Sequence, residues 1–283
     1  MKTAIITDSA SNLQPEFIKK HDNLFVMPLM IVLNGKNYRD QIEIKADDIY
    51  DQLDEQPMST SLPDTNDLLN VIEKIKKEGY THILCINVSS GLSGTFNAFR
   101  LVFEHVEDIE ITHYDSLTIG GGLGYIVEYA LELLEKNEHP KDIIKKLDHL
   151  RFEDSLSLYT IGTLKYLKRG GRIGKVEGTL GDLLHLKPVI GMNDKGVYVT
   201  VAKAFGIKRS LLLMKEHIVN KFKQDLVDLT IHYGKGKEVA LALANKMKKE
   251  LNIRTLTLSP LTPVLGIHAG PQMFSYVARR INK

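Results

Sequence analysis

The chain has very little cysteine and no tryptophan: among 283 residues, Cys85 is the single cysteine. One cysteine excludes an intramolecular disulfide framework and any zinc or iron–sulfur site built from several cysteines, so we expect a reducing, cytoplasmic location. The ten histidines form no HExxH or HxH pair. A metal site is therefore not expected, and no organic cofactor is predicted.

The sequence also lacks a recognisable signal peptide and has only one long stretch without charge. The short apolar run at residues 3–7 is followed at once by Asp8, which is not the pattern of a secretory leader. The uncharged stretch covers residues 255–278, long enough to span a bilayer. It contains Pro260, Pro263 and Pro271, however, and backbone groups freed by such breakers would lack partners in hydrocarbon. We expect buried loop and strand there and no transmembrane segment.

Charge is distributed unevenly along the chain. The formal net charge of +2 combines −11 for residues 1–150 with +13 for residues 151–283. Either each half has a solvated face of one sign, or the basic half meets an acidic partner or an anionic surface. Tyr166 is the only aromatic residue within the densest basic run, and no nucleic-acid reading motif accompanies the run, so nucleic-acid binding is not expected. The basic residues in question are Lys165, Lys168, Arg169, Arg172 and Lys175, with Lys203, Lys208 and Arg209 further on.

Hydrophobic patterning predicts two domains. Within residues 1–152, strand patterns at 3–7, 24–33, 83–88 and 109–114 alternate with helix patterns, which indicates a Rossmann-like α/β domain whose parallel sheet has helices on both faces. Within residues 153–283, hairpin-linked strands precede helices at 207–222 and 238–251, which indicates an α+β domain. The length of the chain also favours two domains.

Glycine-rich segments do not match nucleotide-binding motifs. The run Gly120–Gly124 has Tyr125 where the dinucleotide fingerprint needs glycine. A phosphate loop around Lys175 would need glycine in place of Arg169 and a hydroxyl residue in place of Val176. These mismatches disfavour a nucleotide-binding regulator.

Hydroxyl residues cluster between a predicted strand and a predicted helix, in the segment Ser89–Thr95. Ligands of open α/β sheets bind at such carboxyl ends of strands, and hydroxyls with unpaired helix-start N–H groups suit a carboxylate or phosphate. An N-terminal helix cap without a ligand is the other interpretation. Ser93 approaches a nucleophile elbow, but Thr95 replaces the required glycine. One hypothesis for the function is therefore a serine hydrolase of acyl esters that uses Ser93 and His268, as an alternative to a site that only binds an anionic ligand.

Taken together, several short motifs resemble those of the DegV family of bacterial fatty-acid-binding proteins. The resemblance extends over essentially the whole chain. Its motifs are Thr7-Asp8-Ser9, Thr60-Ser61-Leu62-Pro63, Ser89-Ser90-Gly91-Leu92-Ser93-Gly94-Thr95, Asp115-Ser116, Leu167-Lys168-Arg169-Gly170-Gly171-Arg172-Ile173, Lys187-Pro188 and His268-Ala269-Gly270.

The resemblance implies a non-catalytic protein that holds one long-chain fatty acid, such as palmitate or oleate, in a tunnel between its two domains. It further implies that the acyl carboxylate is presented to a separate fatty-acid kinase. Docking of that kinase on the basic C-terminal domain is a further hypothesis, drawn from the uneven charge. The carboxylate contacts are carried over to Thr60 and Ser93, with His268 nearby. Ser61, Gly94 and Arg172 are further ligand-binding candidates.

The sequence departs from the family pattern at three places. Leu62 stands where the family usually has glutamine, and Phe205-Gly206 stands where it tends to have an Arg-Thr pair. Gln272-Met273-Phe274 stands where the family has a small, glycine-rich segment, and the bulky Met273 and Phe274 predict a shortened or reshaped pocket. If the family's arginine helps to dock or serve the kinase, its replacement by Phe205-Gly206 predicts that phosphorylation of the bound ligand is impaired even where binding is retained.

Overall fold

Three β-sheets organise the chain in the computed structural model, which describes residues 2–179 and 186–281. The strands of this part are β1 (Thr3–Asp8), β2 (Leu24–Met27), β3 (Met30–Leu33), β4 (Lys36–Arg39), β5 (Met58–Ser61), β6 (His82–Asn87), β7 (Glu110–Asp115), β8 (Ser155–Ile161), β9 (Val189–Met192), β10 (Tyr198–Ala202), β11 (Leu226–Tyr233), β12 (Asn252–Pro260) and β13 (Met273–Arg280). Its α-helices are α1 (Pro15–Ile18), α2 (Ala46–Tyr50), α3 (Thr65–Lys77), α4 (Thr95–Phe103), α5 (Gly121–Glu135), α6 (Pro140–His149), α7 (Lys165–Arg169), α8 (Ile207–Phe222), α9 (Lys237–Met247) and α10 (Pro263–Ala269).

The first sheet is parallel, in the order β2-β1-β6-β7. Successive side chains of a strand point to opposite faces. Accordingly, Ala4 and Ile6 of β1 pack in the core formed with α3 and α4, whereas Ile5 packs in the core formed with α5 and α6. The predicted α/β arrangement, with helices on both faces of a parallel sheet, is confirmed.

The second sheet has six strands in the order β10-β9-β8-β13-β11-β12. β11 and β12 are parallel, and the other neighbours are antiparallel. Along β13, Phe274 and Tyr276 pack in the core with residues of α8 and α9, so the alternate residues Met273, Ser275 and Val277 face the opposite side. This mixed sheet confirms the predicted α+β architecture of the second half. A domain boundary at residues 152/153 stays a prediction.

A small antiparallel sheet, β4-β3-β5, stands beside the first sheet. Helix α10 packs against this sheet and against α2, with Val264 and Ile267 in the same core as Ile31 and Ile49. The backbone N–H of Val264 also donates to Asp40 at 3.0 Å. A segment near the end of the chain is thereby fixed against the first half.

Three segments differ from the sequence predictions. The strand predicted at residues 24–33 is divided by Pro28 into β2 and β3, which belong to different sheets. The Ser59-Thr60-Ser61 segment, whose hydroxyl residues are typical of a turn before a helix, is strand β5. The uncharged stretch 255–278 contains helix α10, which begins at Pro263 and ends before Gly270 with its φ of +78°. Proline is favoured in the first turn of a helix and glycine just after its last turn, so Pro263 and Gly270 define the two ends of α10.

In the described part of the chain, none of the helices combines the length and apolar character of a membrane span.

Candidate functional site

A cavity of about 270 Å³ lies between the two large sheets. Its floor is the inner face of the six-stranded sheet, which contributes Met273, Ser275 and Val277. Its opposite wall comes from the first half of the chain and from α10. The apolar part of the lining consists of Ala10, Leu29, Leu62, Val88, Leu92, Ile119, Leu158, Tyr159, Leu167, Met192, Tyr198, Leu261, Val264, Leu265, Ala269, Met273 and Val277. No lining residue among those described is acidic.

Asp8 holds together the carboxyl edge of the parallel sheet beside this cavity. Its buried carboxylate accepts hydrogen bonds from the N–H of Ala10 at 3.1 Å, from Asn87 Nδ2 at 2.9 Å and from the N–H of Val88 at 2.9 Å. Burial raises the pKa of Asp8 to about 6, and the three hydrogen bonds oppose that rise. Ala10 and Val88 line the cavity, so Asp8 orders part of its wall.

Thr60 and His268 form a polar pair at one part of the cavity. The Oγ1 atom of Thr60 on β5 lies 2.8 Å from Nε2 of His268, in the last turn of α10. Both residues line the cavity. A hydroxyl both donates and accepts, so Thr60 retains a second hydrogen-bonding direction while it is paired with the imidazole.

The surroundings of His268 keep its ring uncharged at neutral pH. Burial lowers the pKa of His268 to about 4, with smaller contributions from the positive charges of Arg172 and Arg169. The second ring nitrogen, Nδ1, has no hydrogen-bond partner in the described residues. It would lie 2.2 Å from a Cβ atom at position 170, so Gly170 leaves the space that the ring occupies.

Ser93 lies in the loop between β6 and α4, as the sequence predicts. Its Oγ is 2.9 Å from Thr95 Oγ1 and accepts a longer hydrogen bond, 3.3 Å, from the N–H of Thr95. A Cβ atom at Gly94 would lie 3.5 Å from Leu62 Cδ2, which shows that this loop adjoins the end of β5. Ser93, like Thr60, therefore belongs to the polar part of the cavity lining.

The structure brings five of the six predicted ligand-binding residues to the cavity lining. Arg172 donates to the carbonyl oxygens of Leu92 at 3.2 Å and Gly170 at 2.6 Å, which ties it to the Ser93 loop. The sixth, Gly94, is the N-cap residue of α4 and is not a lining residue. The five that line the cavity are Thr60, Ser61, Ser93, Arg172 and His268.

Sequence reasoning did not identify several lining residues of the second half. Tyr159 and Tyr198, whose ring centroids are 5.2 Å apart, form one side of the cavity. His232 contributes from β11. The alternation of side chains along a strand predicts which residues share a buried face. It does not predict whether that face packs against other side chains or lines a cavity. Met273 lines the cavity, whereas Phe274 packs in the core on the opposite side of the sheet. A shortened pocket stays a prediction.

The cavity lining combines the hydroxyl groups of Thr60 and Ser93 and the positive charge of Arg172 with a largely apolar surface. A serine hydrolase needs a hydrogen bond between its nucleophile and its base, and a group that orients the base. Here Nε2 of His268 is paired with Thr60, Ser93 is paired with Thr95, and Nδ1 of His268 has no partner in the described residues. The arrangement suits binding of an amphiphile with an acidic head better than nucleophilic catalysis.

Comparison with known proteins gives matches along nearly the whole chain. A family model described as an uncharacterised protein of the DegV family matches residues 2–280. A DegV domain-containing protein of Clostridium perfringens is 40% identical over 272 residues, which are 96% of each chain. The solved structure of a fatty acid-binding DegV family protein from Thermus thermophilus has a TM-score of 0.91 at 28% identity, and the match covers 99% of this chain and 100% of that protein's chain. A stearic acid-binding protein from Eubacterium ventriosum has a TM-score of 0.86 at 26% identity and covers 99% of this chain and 98% of its own.

Proposed function

The chain belongs to the DegV family, and from that premise we propose that it binds one long-chain fatty acid, such as palmitate or oleate, in the cavity between its two large sheets. The observation that carries the proposal is the pairing of Thr60 with His268 in a mostly apolar cavity whose lining also includes Ser93. The relatives from Thermus thermophilus and Eubacterium ventriosum support it, because both are fatty-acid-binding proteins.

The apolar lining supplies most of the affinity in this proposal. Each buried methylene contributes about 0.8 kcal/mol, so a long chain binds more tightly than a short one until the cavity is filled. The only charged lining residue described is Arg172, whose sign favours an anionic head group.

The polar pair and the Ser93 loop select the head group. A carboxylate accepts hydrogen bonds from hydroxyls, and such charge-assisted bonds are about twice as strong as neutral ones. We assign the carboxylate contacts to Thr60 and Ser93. When Nε2–H of His268 donates to Thr60 Oγ1, the Thr60 hydroxyl is free to donate to the ligand. Ser61 and Arg172 act as supporting contacts.

In this proposal the protein is a carrier and does no chemistry itself. A separate fatty-acid kinase transfers the γ-phosphoryl group of ATP to a carboxylate oxygen of the bound fatty acid, which yields an acyl phosphate and ADP. The carrier holds the carboxylate anion for that attack. The kinase docks on the basic second half, where Lys203, Lys208 and Arg209 are exposed.

The decisive experiment is native mass spectrometry of the purified protein followed by solvent extraction. We expect one acyl chain per monomer, or uptake of one equivalent of oleate or palmitate by delipidated protein. A ligand-free mass with no uptake would overturn the proposal.

Thr60→Val and Ser93→Ala are each expected to weaken binding by about 1 to 3 kcal/mol, because a buried carboxylate oxygen loses a donor. Ser59→Ala is the matched control, since Ser59 is an exposed neighbour on β5 outside the lining.

A further inference from the structure

A histidine ring interrupts the apolar wall of the cavity at a position distinct from His268. His232 on β11 is 3% exposed and lines the cavity. Neither ring nitrogen has a hydrogen-bond partner of good geometry in the described residues. Most buried polar side chains are hydrogen-bonded, so an unpaired imidazole beside a cavity indicates that a group inside the cavity supplies the partner.

The position of His232 along the cavity follows from strand register. Its backbone N–H donates to Ser275 Oγ at 3.2 Å, so the two residues are neighbours across β11 and β13. Met273, at the start of β13, comes shortly after His268 in the chain, and Ser275 lies two residues further, a distance of about 7 Å along the strand. His232 therefore lies on the cavity-facing side of the six-stranded sheet, opposite Ser275 and one pair of strand positions from Met273.

The first turn of α5 faces the same ring. Nε2 of His232 would lie 2.5 Å from a Cβ atom at position 121, so Gly121 makes room for the imidazole. The first N–H groups of a helix have no partner within the helix. Ser157, which also lines the cavity, lies on the neighbouring strand β8 opposite Val277. These groups form a second polar region in the cavity wall.

The charge state of His232 narrows the chemistry of its partner. Burial lowers the pKa of His232 to about 4, so the ring is neutral near pH 7. The backbone of Ser259 approaches the ring and partly opposes this shift, but the contact does not have hydrogen-bond geometry. A neutral imidazole has one donor and one acceptor nitrogen. A ligand with a second carboxylate along its chain would have to bury a negative charge there, and the neutral ring offers no positive charge to offset the lost hydration. A hydroxyl group can both donate to and accept from the ring, and its burial costs less free energy.

We propose that His232, with Gly121 and Ser157, forms a hydroxyl-binding position in the cavity wall, so that the protein prefers a long-chain fatty acid that carries a hydroxyl group along its chain. This inference rests on the proposed function. An unsubstituted chain leaves the buried imidazole unpaired, whereas a hydroxyl at the matching carbon satisfies it. The preference is a property of the cavity wall and adds to recognition of the carboxylate.

The test compares stearic acid with hydroxystearic acids substituted near the carboxylate, near mid-chain and near the methyl end, by displacement of a fluorescent fatty acid from the full chain. We expect one of these isomers to bind at least about tenfold more tightly than stearic acid, a difference of about 1.4 kcal/mol. His232→Leu should abolish that preference while stearic acid still binds. His105→Leu, an equivalent change at an exposed histidine, should leave the preference intact.

Two outcomes would overturn the inference and leave the proposed function standing. One is that stearic acid binds the unmodified protein as tightly as every hydroxystearic acid, a comparison that does not require any variant to fold. The other is that His232→Leu keeps the preference. If neither stearic acid nor any hydroxystearic acid binds the unmodified protein, the proposed function fails together with the inference.

Discussion

His268 Nε2 lies 2.8 Å from Thr60 Oγ1, although 208 positions separate the two residues in the chain. The contact depends on α10, which carries His268 back to β5 in the first half of the fold. The position of the His268 ring in turn depends on Gly170, because any side chain at position 170 would bring a Cβ atom to 2.2 Å from Nδ1. This polar part of the cavity is thus assembled from three distant segments of the chain.

Gly170→Ala is expected to displace the His268 ring and to weaken fatty-acid binding by about tenfold or more, equivalent to about 1.4 kcal/mol. The added Cβ would lie 2.2 Å from Nδ1, whereas the φ of −78° at Gly170 accommodates alanine. Titration calorimetry with oleate measures the effect. Gly178→Ala is the matched control, because a Cβ there meets nothing within 4 Å. Equal affinities in the two variants would contradict the role assigned to the His268 position.

Binding of a carboxylate is expected to raise the pKa of His268, which burial lowers to about 4. A nearby negative charge favours the protonated ring and opposes the effect of burial. NMR titration of the histidine ring carbons, with the His268 signal assigned from His268→Gln, measures the pKa with and without oleate. An unchanged pKa in the oleate complex would show that the carboxylate does not lie near this ring.

Asp8 is expected to make the stability of the protein depend on pH in a direction opposite to that of an ordinary paired carboxylate. Its pKa is raised from 3.8 to about 6 in the folded protein, so the folded state binds more protons than the unfolded state in this range. The contribution of Asp8 is therefore greatest below pH 3.8, is lost as the pH rises to about 6 and is constant above that. The free energy of unfolding of wild type minus that of Asp8→Asn should fall by about 3 kcal/mol across this window. Urea unfolding at several pH values measures this difference, and a difference that grows with pH would contradict the expectation.

Those parts of the fold that depend on local pattern were predictable from the sequence. Strands β1 and β6 consist of buried residues throughout, and Asp64 caps α3 as its side chain and position indicate. Strand β5 was not predictable, because the hydroxyl residues Ser59, Thr60 and Ser61 are typical of a turn and become a strand only through pairing with β3. Long-range pairing overrides local propensity there.

The candidate site shows the same division. The Ser93 loop follows from its place after a buried strand, and Thr60 and His268 followed only from the family resemblance. His232 and Tyr198 were not predictable as cavity residues, because the side that each faces depends on register with β13 and β9, whose residues are distant in sequence. The cavity itself is a property of how the two sheets are spaced, and no linear pattern encodes that spacing.

Kinase docking is expected to depend on the exposed cations Lys203, Lys208 and Arg209, which flank the 70% exposed side chain of Phe205. Arg169 and Arg172 are less suitable for charge reversal, because each donates to backbone carbonyls that hold the site together. Reversing the three exposed charges to glutamate should slow acyl-phosphate formation in a reconstituted kinase assay by about tenfold at low salt, since complementary charge raises association rates. Oleate affinity should not change. Charge reversal at three exposed lysines in and just after α9, Lys246, Lys248 and Lys249, is the control for net charge alone. Equal slowing by both triple variants would mean that total charge, and not this surface, governs the encounter, and full activity of the first variant would refute docking there.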